Sequence, residues 1–252
     1  MIEFTKEQKF LLEELASFMI YYNKQINLTT ITEPQEIWEK HFIDSAYPLM
    51  LPSISIRSIL EVNASCSDVP RRKLPVETLV PEASQQEPRV IDIGTGAGFP
   101  GVVWKIFRPD LNITLLDSLH KRIYYLELLK EELNLDYTTI HARSEELALN
   151  TDYRERFDIA VSRAVANLPA LCEYCLPFVK FGGIMLAMKG KNAEDEVKSA
   201  GNALKLLGGE IKEIINYKLP SGDKRSLVII EKIMKTPLNY PRQRVNIVKN
   251  PL

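Results

Sequence analysis

The chain is poor in the residues that build metal centres and covalent staples: 252 residues carry three cysteines and three histidines. Cys66, Cys172 and Cys175 make no disulfide framework, and no second Cys/His pair stands at ligand spacing from Cys172-x-x-Cys175. His41, His120 and His141 are scattered, so the expectation is a protein without metal. Charge of one sign is also lacking. Lys and Arg number 32 against 33 Asp and Glu, a formal net charge of −1, so a nucleic-acid partner must be met by a local patch. No apolar run approaches the ~20 residues of a membrane span. The stretch M-I-E-F-T-K-E-Q-K has no charged, apolar and cleavage regions of a signal peptide, and the expected setting is the cytoplasm. No Ser-His-Asp or paired-acid constellation offers itself for acid–base chemistry.

Glycine is sparse as well, at 11 residues, yet four of them fall in Val90–Gly101, V-I-D-I-G-T-G-A-G-F-P-G. A short apolar run ends there in a Cβ-free turn that opens a helix, where backbone N–H groups can meet a polar ligand. The stretch fits two templates. Gly96-x-Gly98-x-x-Gly101 satisfies a dinucleotide pattern. Asp92-x-Gly94-x-Gly96-x-Gly98 satisfies the loop of methyltransferases that use S-adenosylmethionine. Register favours the second. A dinucleotide fingerprint starts directly after the strand, at Gly94, and its last position then falls on Phe99. A carboxylate at Asp92 suits a cofactor with an amino-acid end and a sulfonium charge better than a pyrophosphate. Asp117 ends the next apolar run and is placed to accept ribose hydroxyls, or alternatively to cap the following helix.

Thr5-x-x-Gln8 reads as a capping box ahead of a stripe of Phe10, Leu11, Leu15, Phe18, Met19 and Tyr22. A second helix is expected near Thr32, with Thr32-x-x-Gln35 as its box and Ile37, His41, Phe42, Ser45 and Leu49 on its apolar face. His41 and Asp44, one turn apart, either line a site or form a buried pair. Residues 52–89 hold five of the fifteen prolines and no glycine, with five basic and five acidic side chains. They read as a solvated linker, with Arg71-Arg72-Lys73 the alternative RNA contact. Beyond them, strands expected at 90–93, 113–117, 138–141, 157–161 and 184–189 alternate with helices at 100–107, 119–133, 145–149, 167–178 and 192–207. Two final strands, 210–217 and 226–233, meet at a short Pro220–Asp223 turn and must be antiparallel. The helical pattern around Cys172 and Cys175 makes both core thiols rather than a redox pair.

The strings D-I-G-T-G-A-G-F-P-G (92–101), T-L-L-D-S-L-x-K-R (114–122), S-R-A-V-A-x-L (162–168) and M-K-G (188–190) closely resemble the bacterial small-subunit ribosomal RNA guanine-N7 methyltransferases, the glucose-inhibited division protein B family. N-L-T-T-I-T (27–32), K-H-F-I-D-S (40–45), Lys232 and Tyr240-Pro241-Arg242 resemble the flanking motifs. The resemblance implies a Rossmann-like class I α/β fold: about seven mostly parallel strands, the last one antiparallel, plus an N-terminal helical extension. The expected organisation is a helical extension (1–51), a Pro-rich insertion (52–89), a methyltransferase core (90–233) and a basic tail (234–252).

The resemblance further implies S-adenosylmethionine as cofactor, with contacts at Gly94, Phe99, Asp117, Ser118, Leu119, Ser144, Glu145 and Arg163. It implies transfer to guanine N7 of 16S ribosomal RNA, free or in the small ribosomal subunit; another RNA, a protein or a small molecule is the alternative acceptor. Guanine N7 carries a lone pair and no proton, so catalysis by positioning is expected, without a chemical acid or base. Local positive charge should hold the RNA. Residues 232–252 carry five cations and no acid. Lys121, Arg122, Lys189, Lys191, Tyr240 and Arg242 are the expected RNA contacts, Tyr240 by stacking. The tail departs from the family pattern at Gln243–Val248.

Overall fold

The structure is a computed structural model, and it describes residues 3–51, 87–191 and 193–252. The Pro-rich insertion, Cys66 and Arg71–Lys73 lie outside these residues, apart from the insertion's last three positions. Helix α1 (Lys6–Ile26) starts on the expected box: Thr5 Oγ1 accepts from Gln8 N, and Gln8 Oε1 accepts from Thr5 N. Leu12, Leu15 and Met19 are its buried residues, whereas Phe10 points to solvent.

The next helix starts one residue later than a cap at Thr32 suggests. Proline favours the first helical position, so Pro34 makes Glu33 the cap residue and leaves the Thr32 box unformed. It runs as α2 (Pro34–Ile37), a π-helical stretch (Trp38–Ile43), α3 (Asp44–Ala46) and a 3-10 turn (Tyr47–Met50). His41, in the π-helical stretch, and Asp44, the first residue of α3, are both buried.

Seven strands form one sheet: β1 (Arg89–Ile93), β2 (Asn112–Asp117), β3 (Thr138–His141), β4 (Phe157–Arg163), β5 (Val179–Lys189), β6 (Gly209–Lys218) and β7 (Lys224–Lys232), in the order 3-2-1-4-5-7-6. β1 to β5 pair in parallel; β7 is antiparallel to β5 and to β6. The helices between them are α4 (Gly101–Phe107), α5 (His120–Glu132), α6 (Ser144–Leu147), α7 (Leu168–Cys175), α8 (Ala193–Ser199) and α9 (Gly201–Leu207), with α10 (Arg244–Lys249) in the tail. The single helix expected at 192–207 is two, because the chain turns at Ala200, next to the weak helix former Gly201.

Strand alternation divides the core between two layers. Val90 and Leu115 join α1, α4 and α5 on one face, while Ile91, Ile93 and Leu116 join α7 and α9 on the other. Cys172 and Cys175 are buried in the second layer, and burial pushes the Cys172 thiol up to about 12. The chain reverses its sheet-building direction at β1, which neighbours β2 on one side and β4 on the other. Ligands in open α/β sheets bind outside the carboxyl ends of strands at such a point.

Candidate active site

The β1–α4 loop is built from below. Gly94 N and Thr95 N both donate to Leu116 O, at 2.8 and 3.1 Å, folding the loop over β2. Gly94, Gly96 and Gly98 all take positive φ, at 70°, 62° and 96°. Asp92 lies beneath, fully buried, where its Oδ2 accepts from Thr95 Oγ1 (2.7 Å) and Gly101 N (2.9 Å). Burial pushes this carboxyl up to about 6. The ligand-facing role suggested for Asp92 is therefore replaced by an internal one: it braces the turn and lines neither cleft described below.

Two clefts open at the carboxyl edge. The first, about 490 Å³, is lined by Gly94, Asp117, Ser118, Ser144 and Glu145 among the expected cofactor residues. The Asp117 carboxylate is well supplied with donors: Gly96 N (3.0 Å), Leu119 N (2.9 Å) and Arg122 Nη1 (3.1 Å). Ser144 Oγ donates to Tyr174 O at 2.6 Å. Leu119 caps α5 and does not line the cleft. Arg122, expected on the RNA, instead lines this cleft against Asp117. Tyr174, Arg143 and the tail residues Arg244, Ile247 and Val248 complete the wall. Sequence spacing gave no sign of the tail residues' place here, since only tertiary folding brings α10 back over α7.

The second cleft, about 660 Å³, shares only the β4–α7 segment Ala164–Asn167 with the first. Arg163 lines it. Its Nη1 donates to Lys40 O at 2.8 Å and pairs with Asp44 Oδ2 at 3.3 Å, and its guanidinium carbon lies 5.3 Å from the Phe99 ring centre. Phe99 is buried and stacks on His41 at 4.5 Å, so it lines neither cleft. Arg163 Nη2 sits 3.2 Å from His41 Nδ1, and a guanidinium can only donate. Nδ1 is therefore the acceptor, and Nε2 donates to Thr29 Oγ1 at 3.0 Å. Burial, and next the Arg163 charge, push the His41 imidazole down to about 3. Both ring nitrogens are occupied and the ring is neutral: His41 is a strut between the helical extension and the sheet.

Several expected RNA contacts have internal partners. Lys189 is buried, donating to Ala166 O and pairing with Glu196, both at 2.6 Å, which fixes the segment between the clefts. Arg242 forms a two-pronged pair with fully buried Glu173, at 2.8 and 2.9 Å. Tyr240 is half-buried, and its carbonyl accepts from Arg154 at 2.9 Å. Lys232 is fully buried, bonded to Leu176 O and Thr236 Oγ1, and its amine is pushed down to about 8 by burial. Lys121 and Lys191 are exposed. Among the described residues, no helix is long and apolar enough to cross a membrane, and no group of three His, Cys, Asp or Glu could hold a metal ion.

A 3-2-1-4-5-7-6 sheet with one reversed strand, carrying a glycine loop after its first strand and an acid at the end of its second, is the architecture of a Rossmann-like class I methyltransferase. The model of the rRNA small subunit methyltransferase G family (GidB) matches residues 73–228. A ribosomal RNA small subunit methyltransferase G from Acetivibrio thermocellus is 43% identical over 95% of this chain and 89% of its own length. One from Streptococcus sanguinis is 38% identical over 100% of this chain and 94% of its own length. The chain belongs to the rRNA small subunit methyltransferase G family. Among solved structures, a T. thermophilus 16S rRNA N2 G1207 methyltransferase in complex with AdoMet and guanosine aligns at 18% identity. Its TM-score is 0.42, covering 65% of this chain and 38% of that one. A precorrin-6y C5,15-methyltransferase from Geobacter metallireducens aligns at 15% identity and TM-score 0.44, over 58% of this chain and 80% of that one.

Proposed function

We propose that this enzyme methylates N7 of a guanine in 16S ribosomal RNA, in the cytoplasm, with S-adenosylmethionine as donor. The observation that carries the reading is the pair of clefts meeting at Ala164–Asn167, one beside the glycine loop and Asp117, in a chain of this family. The residues of the first cleft fit the cofactor's chemistry. Glu145 Oε1 is buried in the cleft wall with no partner among the described residues, an acceptor suited to an exocyclic amine. A Cβ on Gly96 would meet nothing nearer than Gly94 O at 4.0 Å, so there is room beside the loop. With the N–H groups of Gly94, Thr95 and Gly96 bonded to Leu116 O and Asp117, the loop offers a ligand its carbonyl oxygens. Asp117 would accept the ribose hydroxyls, the carbonyls of the Gly94–Gly96 loop would suit the amino group of the amino-acid end, and Ser118, Ser144 and Glu145 would hold the base. When bound, the cofactor supplies a methyl group on a sulfonium.

Phe99 and Arg163 act indirectly in this reading. They hold the glycine loop and the β4 end against His41 and Asp44, fixing the partition between donor and acceptor. Guanine N7 offers its lone pair without losing a proton, so no side chain need act as a base. The occupied, neutral His41 agrees with that. The chain's contribution is to align N7 with the methyl group and to exclude water. Calorimetry with S-adenosylmethionine tests the first cleft, and borohydride–aniline cleavage of treated 16S RNA tests N7. Methylation of a protein, a small molecule or another RNA atom instead would replace the acceptor in this reading and leave the donor site standing.

A further inference from the structure

Beside the second cleft, the β6–β7 hairpin presents a ledge whose charge opposes that of the chain as a whole. Lys191, Lys218 and Lys224 are exposed and line one depression with Arg225, which also reaches into the second cleft. None of the three lysines enters an ion pair among the described residues. Of the two acids beside them, Asp195 faces Lys198 at 3.6 Å and Glu194 accepts from Asn216 Nδ2 at 3.4 Å.

The ledge is held rigidly against the helical extension. Ser221 N donates to Glu39 Oε1 at 2.6 Å, Tyr217 Oη donates to Asp44 Oδ1 at 2.7 Å, and Arg225 Nε lies 3.6 Å from Asp44 Oδ2. In the basic tail Arg242 is locked on Glu173 and Arg244 lines the first cleft, while Lys235 and Lys249 are exposed and supply the comparison.

We propose that the RNA backbone docks on this β6–β7 ledge, its phosphates on Lys191, Lys218 and Lys224, and feeds the target nucleotide into the second cleft past Arg225, which is held by Asp44 and Asp223. The proposal rests on RNA being the substrate. Three unpaired ammonium groups on a pre-formed surface bind a polyanion by releasing its counterions, which makes the affinity salt-dependent.

The test is filter binding of the full chain to transcribed 16S RNA from 50 to 300 mM KCl. The variants are Lys191→Gln/Lys218→Gln/Lys224→Gln and, for the tail, Lys235→Gln/Lys249→Gln. The ledge variant should bind at least about tenfold more weakly at 100 mM, with a log–log salt slope shallower by about 2 to 3, at about 0.7 to 0.9 for each of three lost phosphate contacts. Calorimetry should find its S-adenosylmethionine affinity unchanged, which reports an intact fold. The tail variant should keep the parental slope. An unchanged slope in the ledge variant, or an equal loss in the tail variant, overturns the ledge while methylation by the parent enzyme leaves the function standing. A parent enzyme that neither binds nor methylates RNA overturns both.

Discussion

Replacing Arg163 by methionine tests the joint between the helical extension and the sheet. The guanidinium serves Lys40 O, Asp44 Oδ2 and His41 Nδ1 at once, and its side chain is 15% exposed against 5% for Asp44. Methionine keeps the apolar stem but removes the guanidinium that pairs with the Asp44 carboxylate. Breaking a buried pair from one side costs about 3 to 5 kcal/mol. Asp44 keeps Tyr217 Oη at 2.7 Å and Arg225 Nε at 3.6 Å, so the lower end, about 3 kcal/mol, is expected. In urea that is a midpoint shift of about 1 M, for a slope of about 3 kcal/mol/M. Asp44→Asn alone should be costly, and the double variant should cost clearly less than the two single losses combined. The His41 ring, relieved of the Arg163 charge, should titrate above about 3 by NMR. A loss under about 1 kcal/mol with additive double-variant behaviour would refute the reasoning.

His41 also sets an acid limit. The unfolded ring takes up a proton below its ordinary 6.5, while the folded ring resists down to about 3. Its contribution is therefore intact above pH 6.5 and is lost as pH falls, by about 1.4 kcal/mol per unit across that window. His41→Gln should gain about 2 kcal/mol on the parent between pH 7.5 and pH 5, read from urea curves at both. Gly98→Ala should destabilise by about 2 to 4 kcal/mol, combining strain at φ 96° with a Cβ 2.5 Å from Val102 Cγ2. Gly190→Ala, with nothing within 4 Å of its Cβ, is the control and should change thermal unfolding little. Asp117→Asn should weaken S-adenosylmethionine binding about 10- to 100-fold by calorimetry, the worth of hydrogen bonds to a charged acceptor.

Local chemistry made much of this legible in the sequence. The glycine turn, the Thr5–Gln8 box and the alternation of strands and helices depend on neighbours in the chain, and the structure has them within a few residues of expectation. What escaped depends on distant partners. Asp92 stands where a ligand-facing acid would, but Thr95 and Gly101 turn it inward. A lysine near a strand end reads as a surface cation until Ala166 and Glu196 close over Lys189. Arg242 looks free until Glu173, 69 residues away, takes both its prongs. Ile247 and Val248 read as a scrap of tail, and only the return of α10 places them in the wall of the first cleft. The clefts' division is likewise invisible in any motif, because the Ala164–Asn167 segment that makes it is held by Lys189 on one side and follows Arg163, which reaches 119 residues back to Asp44.

The most direct test of the central claim is methyl transfer itself. Purified enzyme, tritiated S-adenosylmethionine and unmodified 16S RNA or small subunits are incubated together. The RNA is then reduced with borohydride, cleaved with aniline and mapped by primer extension. The account predicts tritium incorporation with one new strand break at a guanine, lost in Asp117→Asn at limiting cofactor. Incorporation without a break would place the methyl on another atom. Cofactor binding with no incorporation into either RNA form would contradict the account.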